Sequence, residues 1–323
     1  MQEKLHPLIF TPILQERIWG GEKLKTELQK RTDKSNIGES WEISDVDGFS
    51  SVVASGHLKG KSLSELIETY KGELLGNSTY ERFDGKFPIL VKFIDAKTDL
   101  SVQLHPDDSL AQLRHNSFGK TEMWYVMHVD KDSRLILGLK DGTDKITYLR
   151  HLKNKSLPLI LNEEVVSKGD TFFIEAGLIH AIGGGIMLAE IQQTSDITYR
   201  VYDWDRVDKQ GRSRELHNDL AVAAIDFSGN KNIRVNYEDI PDQPNAMVDC
   251  PYFKTNYLKL TDNFKKRNDG DSFLIYICLD GSMHLEQDKE LFEISAGQTM
   301  LVPACRTDFE IYTKGAELLE VLV

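Results

Sequence analysis

The chain has 323 residues, with 39 Lys and Arg against 51 Asp and Glu, a formal net charge of −12 at pH 7. At 40% hydrophobic and 28% charged residues its composition is that of an ordinary globular protein, which excludes a disordered chain, and its length suggests roughly two or three domains. The acidic excess opposes counterion release on a polyphosphate, and no Lys/Arg stripe with interleaved aromatics offsets it, so nucleic acid is excluded as the expected partner.

In chain order, MQEKLHPLIFTPIL carries charge and a proline where a secretory signal would need a clean apolar run, and no segment approaches the roughly eighteen apolar residues of a membrane span. No membrane contact and a cytoplasmic location are therefore expected. Alternating or β-branched runs predict short strands in SSVVASG, FPILVKFIDA, EMWYVMHV, SRLILGL, DTFFIEAG, IMLAEIQQTSDITYRVYDW, SFLIYICL, QTMLVPA and ELLEVLV. Helical spacing is confined to SLSELIETYKGELLG, DDSLAQLRH and ELHNDLAVAAIDF, where Leu216, Leu220, Ala223, Ala224 and Phe227 recur at helical intervals. The three cysteines, Cys250, Cys278 and Cys305, are far apart and lack CxxC spacing, so they read as core thiols. The polar, weakly periodic stretch over 227–247 marks a domain boundary, giving domains 1–230 and 231–323.

Residues 169–180, GDTFFIEAGLIH, align without a gap on 297–308, GQTMLVPACRTD. Each begins on a turn glycine, runs through a short strand, breaks at a second turn and places a polar residue at the same offset, His180 or Asp308. Upstream of each lies a matched strand pair, EMWYVMHVDKDSRLIL and DSFLIYICLDGSMHL. Two copies of one antiparallel barrel follow, and the unit resembles the cupin, or jelly-roll, fold, with Glu175 where that motif usually has proline. The expected class is mainly β, with two cupin barrels, the second degenerate, and a small helical portion.

Gln103 and His105 are two apart on a predicted strand and so share a face. Glu122 has the parity of Trp124 and Val126 on the next strong strand, and His180 ends the first repeat. One amide oxygen, one carboxylate and two imidazoles suit zinc with positions left open for water or substrate. In the second copy Glu122 falls near Ser272 and His180 on Asp308, so only the first barrel is expected to hold metal. His115, His151, His217 and His284 read as surface or core groups; His128, at a strand end, reads as solvated, with a substrate-facing role as the alternative.

The segment from Glu190 to Arg200 carries Glu190, Gln192, Thr194, Asp196, Thr198 and Arg200 on one face if it is extended throughout, a polar wall for a pocket. Arg200 could pin an anionic group bidentately, since a guanidinium matches that geometry and keeps its proton. Lys120, two residues before Glu122, shares its face; a cationic neighbour and desolvation would lower its pKa, making it an acid/base candidate. Glu190 and Asp196 are rival bases, Asp196 having a structural salt-bridge role as its alternative. The triple glycine Gly183–Gly185 follows a strand end rather than opening a helix, so it reads as a turn and not a phosphate loop.

Together, Trp19-Gly20-Gly21, Gly38-Glu39-Ser40-Trp41-Glu42, Gln103-Leu104-His105-Pro106-Asp107, Lys120-Thr121-Glu122-Met123-Trp124, Gly177-Leu178-Ile179-His180-Ala181 and Tyr199-Arg200-Val201-Tyr202-Asp203-Trp204 resemble, in order and over nearly the whole chain, the short bacterial type I mannose-6-phosphate isomerases. Thr121 departs from a common proline, and the helical insertion of longer members is reduced to about 144–164. The resemblance implies zinc-dependent interconversion of mannose 6-phosphate and fructose 6-phosphate, with Gln103, His105, Glu122 and His180 on the metal. A sugar phosphate is the expected small-molecule partner, and the chain is a monomer or a homodimer. Two alternatives remain open at this stage: an isomerase of another phosphosugar, or a metal-stabilised sugar-phosphate-binding cupin without turnover.

Overall fold

The central strands Ile89–Ala96, Glu122–Val129 and Ile186–Gln193 are buried along almost their whole length, so both faces of their sheet must be covered. A computed structural model describes residues 4–207, 210–228 and 233–323. A seven-stranded antiparallel sheet runs, in spatial order, Arg234–Val235, Thr171–Ile174, Glu122–Val129, Ile186–Gln193, Ile89–Ala96, Ile13–Gly21 and Ile37–Ile43. A five-stranded sheet, Leu161–Val165, Arg134–Leu139, His180–Ile182, Val102–Leu104 and Tyr199–Tyr202, faces it. Between them lies a core of Trp19, Ile94, Trp124, Val126, Leu135, Leu137, Ile182 and Leu188. This is the first cupin barrel.

The second barrel is an eight-stranded sheet built on the long strand Leu274–Gln287. What the repeat predicts as a strand pair is here one strand, bent by a bulge between Cys278 and Asp280, so that its first half pairs Thr299–Val302 and its second half Glu290–Ser295. Arg234–Val235 pairs Thr171–Phe172 of the seven-stranded sheet, and the next strand, Asn245–Asp249, belongs to the eight-stranded one. The two barrels share a further core: Met123, Tyr125, Met187 and Ile191 from the outer face of the first meet Phe273, Ile275, Ile277, Leu319 and Val321. The helix Leu63–Tyr70, held by a Ser62/Glu65 capping box, adds Leu66, Ile67 and Tyr70 to that core.

Several local expectations are corrected. Helical spacing after Glu215 yields only the four-residue helix Asn218–Ala221, because the following turn places Ile225 and Phe227 against the five-stranded sheet instead of continuing the axis. Cys278 is a core thiol, but Cys250 is half-buried and Cys305 exposed in the turn after Val302. The pairing of Thr299–Val302 with Leu274–Ile277, compared with that of Thr171–Ile174 with Glu122–Tyr125, puts Leu274 rather than Ser272 at the position of Glu122. The triple glycine is a turn: a Cβ on Gly183 would collide with the Arg134 carbonyl, and Gly185 has φ +87°.

Candidate metal centre and active site

His105, just past the strand Val102–Leu104, Glu122, at the start of its strand, and His180, opposite Gln103, converge because three strands from two sheets end side by side. One ligand atom from each of these three residues lies within 4.8 Å of the others, and all three residues are buried. His105 Nε2 is 3.3 Å from Glu122 Oε1, and His180 Nε2 is 3.9 Å from Glu122 Oε2. The other ring nitrogens are tied to backbone carbonyls, His105 Nδ1 to Ile197 at 2.7 Å and His180 Nδ1 to Leu178 at 2.9 Å. Those carbonyls require the proton on Nδ1, leaving each Nε2 lone pair aimed at the cluster.

Burial first, and then Lys120, pushes the His105 pKa down to about 4; burial likewise lowers His180, so both rings are neutral at pH 7. Burial opposes charge on Glu122, but Lys120 and the two histidines outweigh it and hold the carboxylate well below its ordinary value. Glu122 Oε2 and His180 Nε2 are buried without a hydrogen-bond partner. Two neutral imidazoles and an ionised carboxylate with orphaned lone pairs are the donor set of a divalent metal, so the residues fit one. Among the described residues no second cluster of this kind exists. In the second barrel Leu274 is apolar and Asp308 exposed.

Beside the cluster a cavity of about 370 Å³ is lined by Gln103, Lys120, His180, Glu190, Asp196 and Arg200 among others. Of the polar residues read from the sequence, Gln103, Lys120, Glu190, Asp196, Thr198 and Arg200 reach this wall, whereas Gln192, Thr194 and His128 do not, and the route is not the one expected. The polar face from Glu190 to Arg200 is not one strand: Ile186–Gln193 ends in the seven-stranded sheet, 195–198 is a loop, and Tyr199–Tyr202 belongs to the opposite sheet. Gln192 is buried and bonds to the carbonyls of Gln193 and Ser195, while Thr194 lines a different cavity. Lys120 Nζ contacts Glu122 and lies 3.3 Å from His105 Nε2. Asp196 is exposed at the cavity mouth. His128 is outside the cavity, half-buried between Asp130 at 2.8 Å and Glu27 at 3.3 Å rather than simply solvated.

Several wall residues are not singled out as site candidates by sequence reasoning. Ile13–Gly21 and Ile37–Ile43, not marked by alternation, bring Arg17 and Glu39, whose ion pair is 2.9 Å, together with Trp19 and Trp41. Lys92 meets Glu190 at 3.1 Å and stands over the Trp41 ring, and Trp124 Nε1 donates to Glu190 Oε2 at 2.9 Å. Burial disfavours the Lys92 charge, but Glu190, Glu39 and Glu122 outweigh that and raise its pKa. A lysine inside the apolar run FPILVKFIDA is the signal that could have found it, since a lone buried charge requires a partner. Arg214 also lines the wall, bonded through two nitrogens to Asp203 at 2.7 and 2.5 Å, and Arg206 bonds the same carboxylate at 2.5 Å.

A cupin barrel with a buried His/Glu/His cluster under a charged cavity defines a metal-binding cupin with an enzyme-like pocket. Residues 8–122 match the model of the type I phosphomannose isomerase catalytic domain, and residues 244–319 the mannose-6-phosphate isomerase cupin domain. The mannose-6-phosphate isomerase ManA of Bacillus subtilis (strain 168) is 33% identical over 311 residues, covering 94% of this chain and 95% of that protein. The mannose-6-phosphate isomerase of Streptococcus mutans is 32% identical over 298 residues, 92% of each. The crystal structure of the mannose 6-phosphate isomerase from Bacillus subtilis superposes with a TM-score of 0.88 at 31% identity, over 98% of this chain and 99% of that one. The chain belongs to the type I phosphomannose isomerase family.

Proposed function

We propose that the protein is a zinc-dependent isomerase interconverting mannose 6-phosphate and fructose 6-phosphate through an enediolate. One observation carries the reading: the orphaned His180 Nε2, with the orphaned Glu122 Oε2 3.9 Å from it, lines a cavity whose wall also presents Arg200, a guanidinium hydrogen-bonded among the described residues to neutral groups. His105, Glu122 and His180, with Gln103 beside them, would hold the ion. When bound, zinc supplies a Lewis acid that stabilises negative charge on the sugar oxygens.

The chain's own residues divide the remaining work. Arg200 Nε donates to Ser101 Oγ at 3.2 Å and Nη1 to the Glu215 carbonyl at 2.9 Å, so among the described residues no carboxylate is hydrogen-bonded to it and its charge is available to the phosphate. Burial, and then Arg214, lowers its pKa; a cation already crowded by another cation gains from an anion. Lys120, held against Glu122 and His105, is positioned to donate a proton to a sugar oxygen near the metal ligands. Glu190 is a buried carboxylate on the cavity wall; Lys92, 3.1 Å from its Oε1, and Trp124, donating to its Oε2, fix its orientation, which suits it to take the proton from C2 and return it to C1. Asp196, exposed at the mouth, is placed to meet the sugar's outer hydroxyls. No helix among the described residues is long and apolar enough to cross a membrane, and action in the cytoplasm is part of the proposal.

The test is a coupled assay of mannose 6-phosphate turnover before chelation, after it and after zinc is restored. Turnover that is lost and regained supports the reading. Turnover that survives complete metal removal defeats the zinc mechanism, and none with metal present favours a binding module.

A further inference from the structure

The strand Tyr199–Tyr202 is an edge: it pairs with Val102–Leu104 on one side and, among the described residues, with no strand on the other. An edge strand leaves backbone N–H and C=O groups that a neighbouring strand would otherwise satisfy, and it bends more easily for want of them. At Arg200 both outward groups are taken by one residue. His217 N–H donates to the Arg200 carbonyl at 2.7 Å, and Arg200 N–H donates to His217 Nδ1 at 3.1 Å. The imidazole thus stands where a partner strand's carbonyl would be, and it accepts only with its proton on Nε2. Two residues earlier the Glu215 carbonyl accepts from Arg200 Nη1 at 2.9 Å. Three hydrogen bonds from 215–217 converge on a single residue, backbone and guanidinium together.

We propose that His217 is a positioning residue for Arg200: its Nδ1 locks the edge strand so that the guanidinium faces the cavity ready to receive an anionic phosphate. The proposal rests on the assignment of Arg200 to the phosphate. Because the Nη1 and Nε directions are set by Glu215 and Ser101, a shift of the Arg200 backbone would carry the free edge of the guanidinium away from the cavity without touching the metal ligands. The effect should therefore fall on binding of the phosphate and not on zinc.

The test compares His217→Ala, His217→Gln and His217→Asn in the zinc-loaded protein, reading KM and kcat for mannose 6-phosphate, competitive inhibition by inorganic phosphate, and zinc content. Asn places an acceptor oxygen at the δ position, where Nδ1 stands; Gln places it one bond further out. Ala and Gln are expected to raise KM and the phosphate inhibition constant together by about tenfold, with kcat within about threefold and zinc unchanged, the signature of lost uniform binding. Asn is expected to bring both constants back to within about threefold of the parent. Equal effects of Asn and Gln, or unchanged constants in Ala, overturn the proposal, and the Asn/Gln contrast decides it if Ala fails to fold. Arg200→Ala distinguishes the two levels: if it leaves phosphate inhibition intact, the phosphate assignment itself has failed, whereas its loss with no response at His217 defeats only the positioning role.

Discussion

Lys92 and Glu190 stand opposite one another on adjacent antiparallel strands, and their charged ends meet at 3.1 Å inside the cavity wall, 6% and 3% exposed. Removing one partner strands the other charge in a poorly solvated site. Lys92→Met is expected to destabilise the protein by about 3 kcal/mol, and Lys92→Met with Glu190→Gln to recover at least half of that loss, as measured by urea unfolding. A double variant no more stable than the single one would show that the two charges do not depend on each other.

The same carboxylate separates the two candidate bases. Glu190→Gln is expected to lower kcat by about a hundredfold or more while zinc content stays at the parent level, and Asp196→Asn by about tenfold or less. Both carboxylates reach the cavity, but only Glu190 is buried and oriented by two donors. The reverse ranking in steady-state kinetics would move the base to Asp196.

The metal cluster makes a prediction about roles. His180→Ala removes a ligand and is expected to lose both zinc and activity, whereas Arg200→Ala keeps the zinc and loses activity, read by metal analysis of the purified variants alongside turnover. Loss of zinc in Arg200→Ala would contradict its placement on the substrate side of the cavity.

Metal-free protein should be acid-sensitive in a definite window. The unfolded chain takes up a proton at His105 near pH 6.5, the folded chain only near 4, because burial keeps the ring neutral. The unfolded state therefore binds more protons between those values, so stability is full above about pH 6.5 and falls as pH drops toward 4, by on the order of 3 kcal/mol from this group. His180 is shifted in the same direction and adds to the fall. Unfolding curves of chelated protein at pH 7.5, 6 and 4.5 test this, and a flat profile would mean that the rings are not held neutral.

Thiol chemistry distinguishes the three cysteines. Cys305 is exposed, Cys250 half-buried, and Cys278 fully buried, with burial pushing its pKa to about 12. A thiol reagent at pH 8 is expected to modify Cys305 first and to reach Cys278 only after unfolding, as resolved by peptide mass analysis. Rapid native labelling of Cys278 would show that the second barrel opens.

Features that depend on local period or on a repeat were legible in the sequence. The shared parity of Glu122, Trp124 and Val126, the turn at Gly183–Gly185 and the matched units ending in His180 and Asp308 all follow from alternation and spacing, which a strand imposes wherever it lies. The expected polar wall from Glu190 to Arg200 shows where that logic stops. Glu190, Asp196, Thr198 and Arg200 reach one cavity while Gln192 and Thr194 do not, and parity cannot account for this, because the chain leaves one sheet after Gln193 and joins the other at Tyr199. The two strands carrying Arg17 and Glu39 were not predicted for a related reason: IGESWEI directs Glu39 at the cavity and Glu42 at the buried Lys30, so the binary pattern of a half-buried strand is absent.

By itself, then, the sequence determined the barrel type and the repeat and marked His105, Glu122 and His180, which the fold brings together, since these rest on residue chemistry and neighbours within a few positions. Tertiary structure alone decided which charges neutralise one another. Asp203 takes Arg206 and Arg214, Glu39 takes Arg17, and Arg200 is left with Ser101, Glu215 and His217. Such pairing is set by distances of a few ångströms between groups far apart in the chain, and Coulomb and hydrogen-bond energies respond to those distances, not to sequence order.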